Sequence, residues 1–210
     1  MPRSKTSLKP RKKPVQARSA HTVEAIFEAC IQVLLNGGAE RLTTTRVAER
    51  AGVSVGTLYQ YYGDKRSLLA AVLERHLLQV VEAVEATAGA SCNQPVHVMV
   101  EALVKAFFAA KMTRPDISKA LYAVAAELDG QDLVQRLMQR SQLAIVKLLA
   151  SASDARFDDP ITASFVVTTA LVGPVQALLA VDAPVEFQER VRQQLVLAAV
   201  SYLRTIANGV

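Results

Sequence analysis

Apolar residues recur three and four positions apart along nearly the whole chain, and this spacing restricts the possible folds more than any other feature. Residues spaced in this way share one face of an α-helix, whereas a half-buried strand alternates every second residue, and no segment convincingly does so. The first stripe runs through Val23, Ile26, Phe27, Cys30, Ile31 and Leu34. Hydrophobic residues make up 51% of the chain, so such stripes can enclose a sizeable core. The sequence therefore predicts an all-α protein of about nine helices.

Glycine, proline and capping residues divide the chain into these helices. Asn36-Gly37-Gly38 is expected to end the first helix, because glycine accepts the left-handed conformation of a C-cap. Thr43 or Thr44 can cap a second helix, Ser54 a third and Asp64 a long fourth one. The later helices are predicted at about 95–111, 115–127, 133–150, 160–181 and 187–206.

The net charge of +5 is concentrated at the N-terminus. Residues 1–18 hold seven basic residues and no acidic one, and the rest of the chain is close to neutral. A basic arm of this kind fits a polyanionic partner, either nucleic acid or an anionic membrane, but it also serves simply to solubilise a protein.

One segment, Ile161–Val181, contains no charged residue and is long enough to span a bilayer. Gly173-Pro174 interrupts it, polar side chains occur within it, and its flanks are acidic instead of carrying basic anchors. We predict a helix that is buried in a core or between subunits, and no membrane partner.

Cys30 lies on the first apolar stripe, and residues 1–18 lack the apolar run of a secretory signal, so a cytoplasmic protein is expected.

The stretch TTTRVAERAGVSVGTLYQYYGDK, residues 43–65, predicts two short helices joined by a tight turn. Gly52 can adopt a positive φ, which closes such a turn between crossed helices. With Leu58 directed into the core, a rotation of about 100° per residue sets the remaining orientations. The outward face is then predicted to carry Gly56, Thr57 and Gln60, flanked by Tyr59 and Tyr61.

This outward face has the chemistry of a helix that lies in the major groove of DNA. Gly56 permits close approach of the backbone, Thr57 can meet a thymine methyl group or a phosphate, and Gln60 can bond an adenine edge. Tyrosine hydroxyls can reach phosphates on either side. The alternative is a plain three-helix packing unit with a polar surface, which explains the turn glycine and the core leucine but not the flanking tyrosines.

Cations and hydroxyls at helix starts support the same interpretation. Lys65 falls in the first turn of a helix, where the dipole disfavours a cation, and a phosphate bound there would reverse that effect. Thr44 and Thr45, at the start of the second helix, could hold another phosphate.

The segment Thr43–Leu69, with its core AERAGVSVGTLYQYYGDKRSLL, resembles the DNA-binding region of TetR/AcrR-type bacterial transcriptional regulators. The matching residues are Ala48, Ala51, Gly52, Val53, Ser54, Gly56, Thr57, Leu58, Tyr59, Tyr61, Lys65, Leu68 and Leu69. Tyr62 departs from the family pattern, which usually has Phe at this core position. The resemblance covers roughly residues 19–85.

The resemblance implies an N-terminal helix-turn-helix domain followed by a larger helical domain that binds an effector and dimerises. The predicted organisation is an arm at 1–18, a DNA-binding domain at 19–66 with its motif at 43–62, and the larger domain at 67–210. Phosphate contacts are expected from Thr44, Thr45, Arg46, Ser54, Tyr59, Tyr61 and Lys65, and base contacts from Val55, Gly56, Thr57 and Gln60. The partners are a pseudo-palindromic double-stranded DNA operator and a second copy of the chain.

The family also encloses a small-molecule pocket whose occupant alters DNA affinity, and repression is its usual mode. Candidate lining residues are His76, Phe107, Phe108, Tyr122, Glu127, Thr168 and Gln176, each equally compatible with ordinary packing. Their composition favours an apolar or amphipathic effector. Candidate dimer residues on the last two helices are Phe165, Leu171, Gly173, Val191, Leu195, Ala199 and Tyr202, for which monomer core is the alternative.

Two other function classes were weighed. An enzyme is not predicted, because His21, His76 and His97 occur in no metal-binding frame and no catalytic motif is present. No metal, cofactor or catalytic residue is therefore expected. A membrane-surface adaptor, with the basic arm on anionic lipid, is the remaining rival.

Overall fold

Nine helices form the part of the chain that the computed structural model describes, residues 17–128 and 130–208. They are α1 Ala17–Arg41, α2 Thr44–Ala51, α3 Val55–Tyr61, α4 Lys65–Ala90, α5 Val96–Met112, α6 Pro115–Glu127, α7 Gln131–Ala150, α8 Pro160–Ala180 and α9 Val185–Ile206. The described residues include no strand, only an isolated antiparallel bridge between Arg156 and Asn208. The all-α prediction of about nine helices is confirmed. The predicted basic arm lies outside the described residues, apart from its last two positions, which begin α1.

Local capping bonds explain why the helices start where they do. The Asp64 carboxylate accepts the backbone N–H of Ser67 at 2.7 Å, and the Ser67 hydroxyl in turn accepts the N–H of Asp64 at 3.1 Å. At α8 the Asp159 carboxylate accepts the N–H of Thr162 at 2.9 Å, directly before Pro160 at the first helical position. These residues act within three positions of the helix start, which is why the sequence alone located them.

The glycine pair of α1 produces a kink instead of a clean end. Gly38 has φ 71° and ψ 173°, so the regular helix stops there, and a short helical turn then continues to Arg41. The positive φ is the backbone conformation that glycine adopts more readily than other residues. The predicted break is therefore present, with one further turn beyond it.

Contacts between residues divide the chain into two compact units, the first of which comprises Met1–His76 and Ala120–Leu133. Its buried side chains come mainly from α1, α2, α3, the start of α4 and the end of α6, and α1 and α2 pack closely together. The largest of them are Ile26, Leu42, Val47, Leu58, Leu68, Leu69 and Leu121. Cys30 is fully buried among them, as predicted, and burial raises the pKa of its thiol to about 12.

The second unit comprises Leu77–Lys119 and Val134–Val210, and its core forms where α5 packs against α9 and α8. Fully buried members include Met99, Val100, Val104, Leu148, Val175 and Leu203. Polar bonds close its loops: the Asp154 carboxylate accepts the N–H of Val96 at 2.8 Å, and Lys119 pairs with Asp182 at 2.6 Å. The domain boundary between residues 66 and 67 stays a prediction.

Among the described residues, α8 is the one helix long and apolar enough to cross a membrane by length and composition. Pro174 lies inside it. One side of the helix, including Ala163 and Val175, is fully buried in the second unit, while Phe165 on another side is exposed. The buried side is that of a core helix, as the sequence predicted.

Candidate nucleic-acid interface

The turn between α2 and α3 is built on the left-handed conformation of Gly52. This residue has φ 67° and ψ 30°, and its N–H bonds the Ala48 and Glu49 carbonyls that end α2. A Cβ atom at Gly52 would meet nothing within 4 Å, so the backbone conformation alone accounts for the preference for glycine. The tight turn predicted at this position is present.

Two neighbouring threonines at the start of α2 have different roles, one as the helix cap and the other at the surface. Thr43 caps α2, since its side chain accepts the N–H of Arg46 at 3.3 Å. Thr44 is thereby left to bond the Tyr59 hydroxyl at 3.1 Å. This bond joins the first turn of α2 to α3 at the surface and places two hydroxyl groups side by side. One of the two hydroxyl protons is used in this bond, so the pair retains one O–H group that can donate to an anionic oxygen.

The predicted outward face of α3 is exposed. Leu58 is completely buried, whereas Gly56, Gln60 and Tyr59 are exposed, Tyr59 by 42%. A Cβ added at Gly56 would meet only the Ser54 hydroxyl oxygen, at an ordinary 3.7 Å. Among the described residues, no contact therefore requires glycine at position 56.

Ser54 and Thr57 are connected to each other at the start of α3. The Ser54 hydroxyl accepts the N–H of Thr57 at 3.0 Å, and the two side-chain hydroxyls are 2.9 Å apart. Ser54 is thus the N-cap that the sequence predicted, and Thr57 is half-buried beside it together with Val55. The contacts of these residues with DNA stay predictions.

Tyr61 does not flank an exposed face, and this expectation from the helical wheel is wrong. Its side chain is only 8% exposed, and its ring lies 6.4 Å from that of the buried Tyr62. The reason is its spacing of three residues from Leu58, since residues three and four apart share one face of a helix. Tyr61 and Tyr62 therefore both lie on the side of Leu58, and Tyr59 is the exposed tyrosine of α3.

Lys65 has a partner within the chain. Its ammonium group donates to the carbonyl of Ala39 at 2.5 Å, in the last turn of α1. A cation is favourable at the C-terminal end of a helix, so this bond offsets the unfavourable position of Lys65 in the first turn of α4. The position of Lys65 therefore does not by itself require a bound phosphate, and its phosphate contact stays a prediction.

The other predicted phosphate-contacting residues lie at the start of α2. Thr45 and Arg46 are exposed, and the Arg46 guanidinium donates to the carbonyl of Arg41 at 3.0 Å. Arg50, at the end of the same helix, is also exposed and donates to the Gln32 side chain. Both guanidinium groups are exposed and donate to residues of α1, so the positive charge lies on the surface where α2 meets α1.

The seven predicted effector-contacting residues do not fall in one unit. His76, Tyr122 and Glu127 belong to the first unit, and Phe107, Phe108, Thr168 and Gln176 to the second. Phe108 is buried, while Glu127 and Gln176 are exposed, which is not the environment expected for residues that line an enclosed pocket. The Thr168 hydroxyl oxygen is buried without a hydrogen-bond partner in the described chain. The effector pocket stays a prediction.

The seven candidate dimer residues have mixed environments. Phe165 and Gly173 are exposed, and Val191, Leu195 and Tyr202 are half-buried. Leu171, at 6% exposed, and Ala199 are buried within their own chain, which favours the alternative of monomer core for these two residues, and the dimer interface stays a prediction. They lie on the inner sides of α8 and α9, which pack against each other and against α5.

Sequence reasoning did not single out Lys111, near the C-terminal end of α5. Its side chain is 4% exposed, and burial lowers its pKa to about 8. The carbonyl of Lys111 accepts the Ser118 hydroxyl at 2.8 Å. Lys105 on the same helix is exposed, and no local pattern in the sequence separates its position from the buried one of Lys111. Among the described residues, no group of three or more His, Cys, Asp or Glu side chains could hold a metal ion.

The fold and the site place this chain in the class of helix-turn-helix proteins that also contain a larger helical unit. Residues 26–72 match the family of bacterial regulatory proteins called the tetR family, and residues 95–203 match its tetracyclin repressor-like C-terminal domain. The second match covers more than half of the chain, and the chain belongs to the TetR family.

Curated relatives carry names from the same family. The repressor KstR of Mycobacterium tuberculosis is 31% identical over 116 residues, which cover 54% of this chain and 53% of KstR. The HTH-type regulator MT2310 of the same species is 32% identical over 127 residues, 60% of this chain and 54% of that protein. The chain spans about half the length of these relatives.

Solved structures share the fold at low sequence identity. A TetR-family regulator from Mesorhizobium loti superposes with a TM-score of 0.75 at 17% identity, covering 93% of this chain and all of that one. SmeT, the repressor of a multidrug efflux pump of Stenotrophomonas maltophilia, superposes with a TM-score of 0.65 at 18% identity, over 89% and 92% of the two chains. These neighbours support the all-α architecture with an N-terminal helix-turn-helix.

Proposed function

We propose that this protein is a DNA-binding transcriptional regulator that acts as a repressor on a pseudo-palindromic operator. The observation that carries the proposal is the exposed face of α3, with Gly56, Tyr59 and Gln60 on it and Leu58 fully buried behind it. A short helix held by a left-handed glycine turn, with polar groups outward, meets the requirements of a helix that enters the major groove.

Gln60 is assigned to base recognition, because its amide can donate and accept at once to an adenine edge. Tyr59 and Thr44 are assigned to the phosphate backbone, because their hydroxyls lie 3.1 Å apart at one edge of α3. Thr45 and Arg46 add an exposed hydroxyl and an exposed cation in the first turn of α2. The names of the relatives, which are regulators and repressors, support this assignment.

A homodimer follows from the size of the recognition surface. One seven-residue helix reads too few base pairs to select a site, so two copies on an inverted repeat are needed. Exposed apolar side chains on α8 and α9, including Phe165 and Leu197, provide a surface for a second copy. We further propose that a small apolar or amphipathic effector releases the operator by binding more tightly to a dimer whose α3 helices are misplaced for DNA.

The decisive experiment is selection of bound duplexes from a random DNA pool, followed by titration of the recovered duplex with purified protein. An inverted repeat with half-sites separated by about one helical turn is expected. Loss of binding after addition of cell extract would support the effector. No enrichment of any sequence at low ionic strength would overturn the proposal.

The same sample distinguishes the membrane-surface rival. Liposomes that contain anionic lipid are floated with the protein, and binding is compared with binding to the selected duplex. We expect retention on DNA and none on the liposomes. The opposite result would assign the positive charge of the chain to a lipid surface.

A further inference from the structure

Contacts through α1 connect the C-terminal end of α3 to α4. Tyr62, the buried residue that follows α3, meets Phe27 of α1 edge-on, with ring centroids 6.1 Å apart and an interplanar angle of 64°. Arg75 of α4 lies over the same Phe27 ring, its guanidinium carbon 4.8 Å from the centroid. Arg75 also binds Glu24 of α1. We call Glu24, Phe27, Tyr62 and Arg75 the Arg75 cluster.

The bond between Arg75 and Glu24 fixes the plane of the guanidinium group. Nη1 lies 2.6 Å from Glu24 Oε2, and Nη2 donates to Oε1 at 2.8 Å, so the two groups form a parallel, bidentate pair. Glu24 and Phe27 are three residues apart and share one face of α1. Glu24 therefore holds the guanidinium in place over the Phe27 ring, against which Tyr62 packs.

Arg75 stays charged throughout the range in which the protein would function. The hydrogen bond to Glu24 is the largest cause that raises the pKa of Arg75, and the carboxylate of Glu28 adds to the rise. Burial raises the pKa of Tyr62 to about 12, with the nearby charge of Cys30 adding to the rise and that of Arg75 opposing it. The Arg75 guanidinium is thus a permanent positive charge over the Phe27 ring.

A contribution to the global stability of the protein does not explain the Arg75 cluster. The side chains of Arg75 and Glu24 are 40% and 51% exposed, and an ion pair with such exposure contributes little to the free energy of unfolding. A cation over an aromatic ring at an exposed site likewise contributes modestly. What the cluster does define is the orientation of the Phe27 ring and, through it, of the residue that ends α3.

We propose that Arg75 is a positioning residue for DNA binding, which holds Tyr62 and the end of α3 in the groove-compatible orientation through Phe27 and Glu24. The proposal rests on the proposed DNA-binding function. Without Arg75, α3 retains its contacts with DNA but samples more orientations in the free protein. Binding must then order it, which lowers affinity without the loss of any contact.

The test compares Arg75→Met, which keeps an apolar stem over Phe27 but removes the charge, with the unchanged protein. Affinity for the selected duplex is measured by fluorescence anisotropy, with the active fraction set by stoichiometric titration. We expect affinity to fall roughly fivefold, with a melting temperature within about 3 °C of the unchanged protein. The slope of log affinity against log salt is expected to stay the same, because no phosphate contact is lost.

Four further variants sharpen the result. Glu24→Gln is expected to lower the affinity for the duplex, as Arg75→Met does. The affinity of the double variant is expected to be no lower than that of Arg75→Met, since both changes break the same ion pair. Arg75→Lys is expected to restore part of the loss through its charge. Arg140→Met is the matched control, because it breaks a comparably exposed ion pair, Arg140–Glu85 at 2.7 Å, in the other unit, and should leave affinity unchanged.

Three outcomes would overturn the assignment of Arg75. One is unchanged affinity in Arg75→Met or, if that variant does not fold, in Glu24→Gln. Another is a salt slope smaller by about one, which would show that Arg75 contacts a phosphate directly. The third is additive loss in the double variant. Failure of the unchanged protein to bind any duplex is a separate result, which overturns the proposed function itself.

Discussion

The surface around α3 and the surface of α8 and α9 expose very different chemistry. On α2 and α3 the exposed polar groups are hydroxyls, the Gln60 amide, the guanidinium groups of Arg46 and Arg50 and the carboxylate of Glu49, and Tyr59 is the one large hydrophobic side chain exposed there. On α8 and α9 the exposed side chains include Ile161, Phe165 and Leu197, each more than half exposed. A hydrated polyanion fits the first surface and an apolar protein surface the second, so the two are suited to different partners.

The two surfaces also differ in the interactions that hold them in place. The face of α3 is fixed by short polar bonds, such as those of Ser54 and Thr44, in front of a fully buried leucine. The apolar face of α8 is simply the side of a long helix that its own unit leaves uncovered, opposite buried positions such as Ala163. Changes at the first surface should therefore act on recognition, and changes at the second on assembly.

The largest expected effect is that of Leu58→Ala, which removes the buried anchor of α3. Truncation of a fully buried leucine leaves a cavity and should lower the free energy of unfolding by about 2–5 kcal/mol. Urea denaturation followed by circular dichroism measures this loss. Gln60→Ala, two residues further along but exposed, is the control and should change stability by less than about 0.5 kcal/mol. Equal losses in both variants would mean that α3 does not present two distinct faces.

Phe165→Asp should prevent dimerisation without unfolding the chain. Because Phe165 is 56% exposed in its own chain, a charge there should be tolerated by the fold but not by an apolar interface with a second copy. We expect monomers in light scattering and operator affinity lower by roughly a hundredfold, about 2.7 kcal/mol. A variant that remains dimeric would exclude this face of α8 from the interface. Leu171→Asp provides the contrast, since that buried position should unfold the chain instead.

Gln60→Ala should alter base preference and leave the rest of binding intact. Loss of a bidentate contact with one base is expected to reduce discrimination at one position of each half-site by about 1–3 kcal/mol. The measurement is a competition between the selected duplex and duplexes substituted at single positions. An equal loss of affinity for every duplex would instead show that Gln60 contacts the phosphate backbone.

The smallest expected effect is that of Ser54→Ala, which removes the N-cap of α3. Its hydroxyl accepts the N–H of Thr57 at 3.0 Å, and loss of such a cap typically costs about 1 kcal/mol. Thermal melting should show a drop of a few degrees. Ser54→Asp, which restores an acceptor, should recover most of it, and a failure to recover would mean that Ser54 stabilises the turn in another way.

Much of the local architecture was predictable because its causes lie within a few residues. Asp64, Ser54 and Asp159 cap helices three positions away, and Gly52 closes its turn through its own backbone angles. Side chains whose position depends on a distant neighbour could not be predicted in this way. The ammonium group of Lys65, for example, reaches a carbonyl 26 residues earlier.

The sequence by itself determined the helices seen at residues 17–128 and 130–208, the helix-turn-helix and the inward position of Leu58, because helical periodicity, capping and the φ of glycine act locally. Only the tertiary structure decided that Tyr61 is buried, that Leu171 packs inward while Phe165 stays exposed, and that Arg75 of α4 stacks on Phe27 of α1. These outcomes depend on which helices pack together and at what rotation. Residues far apart in the chain settle that jointly, since each apolar face is buried only where another element covers it.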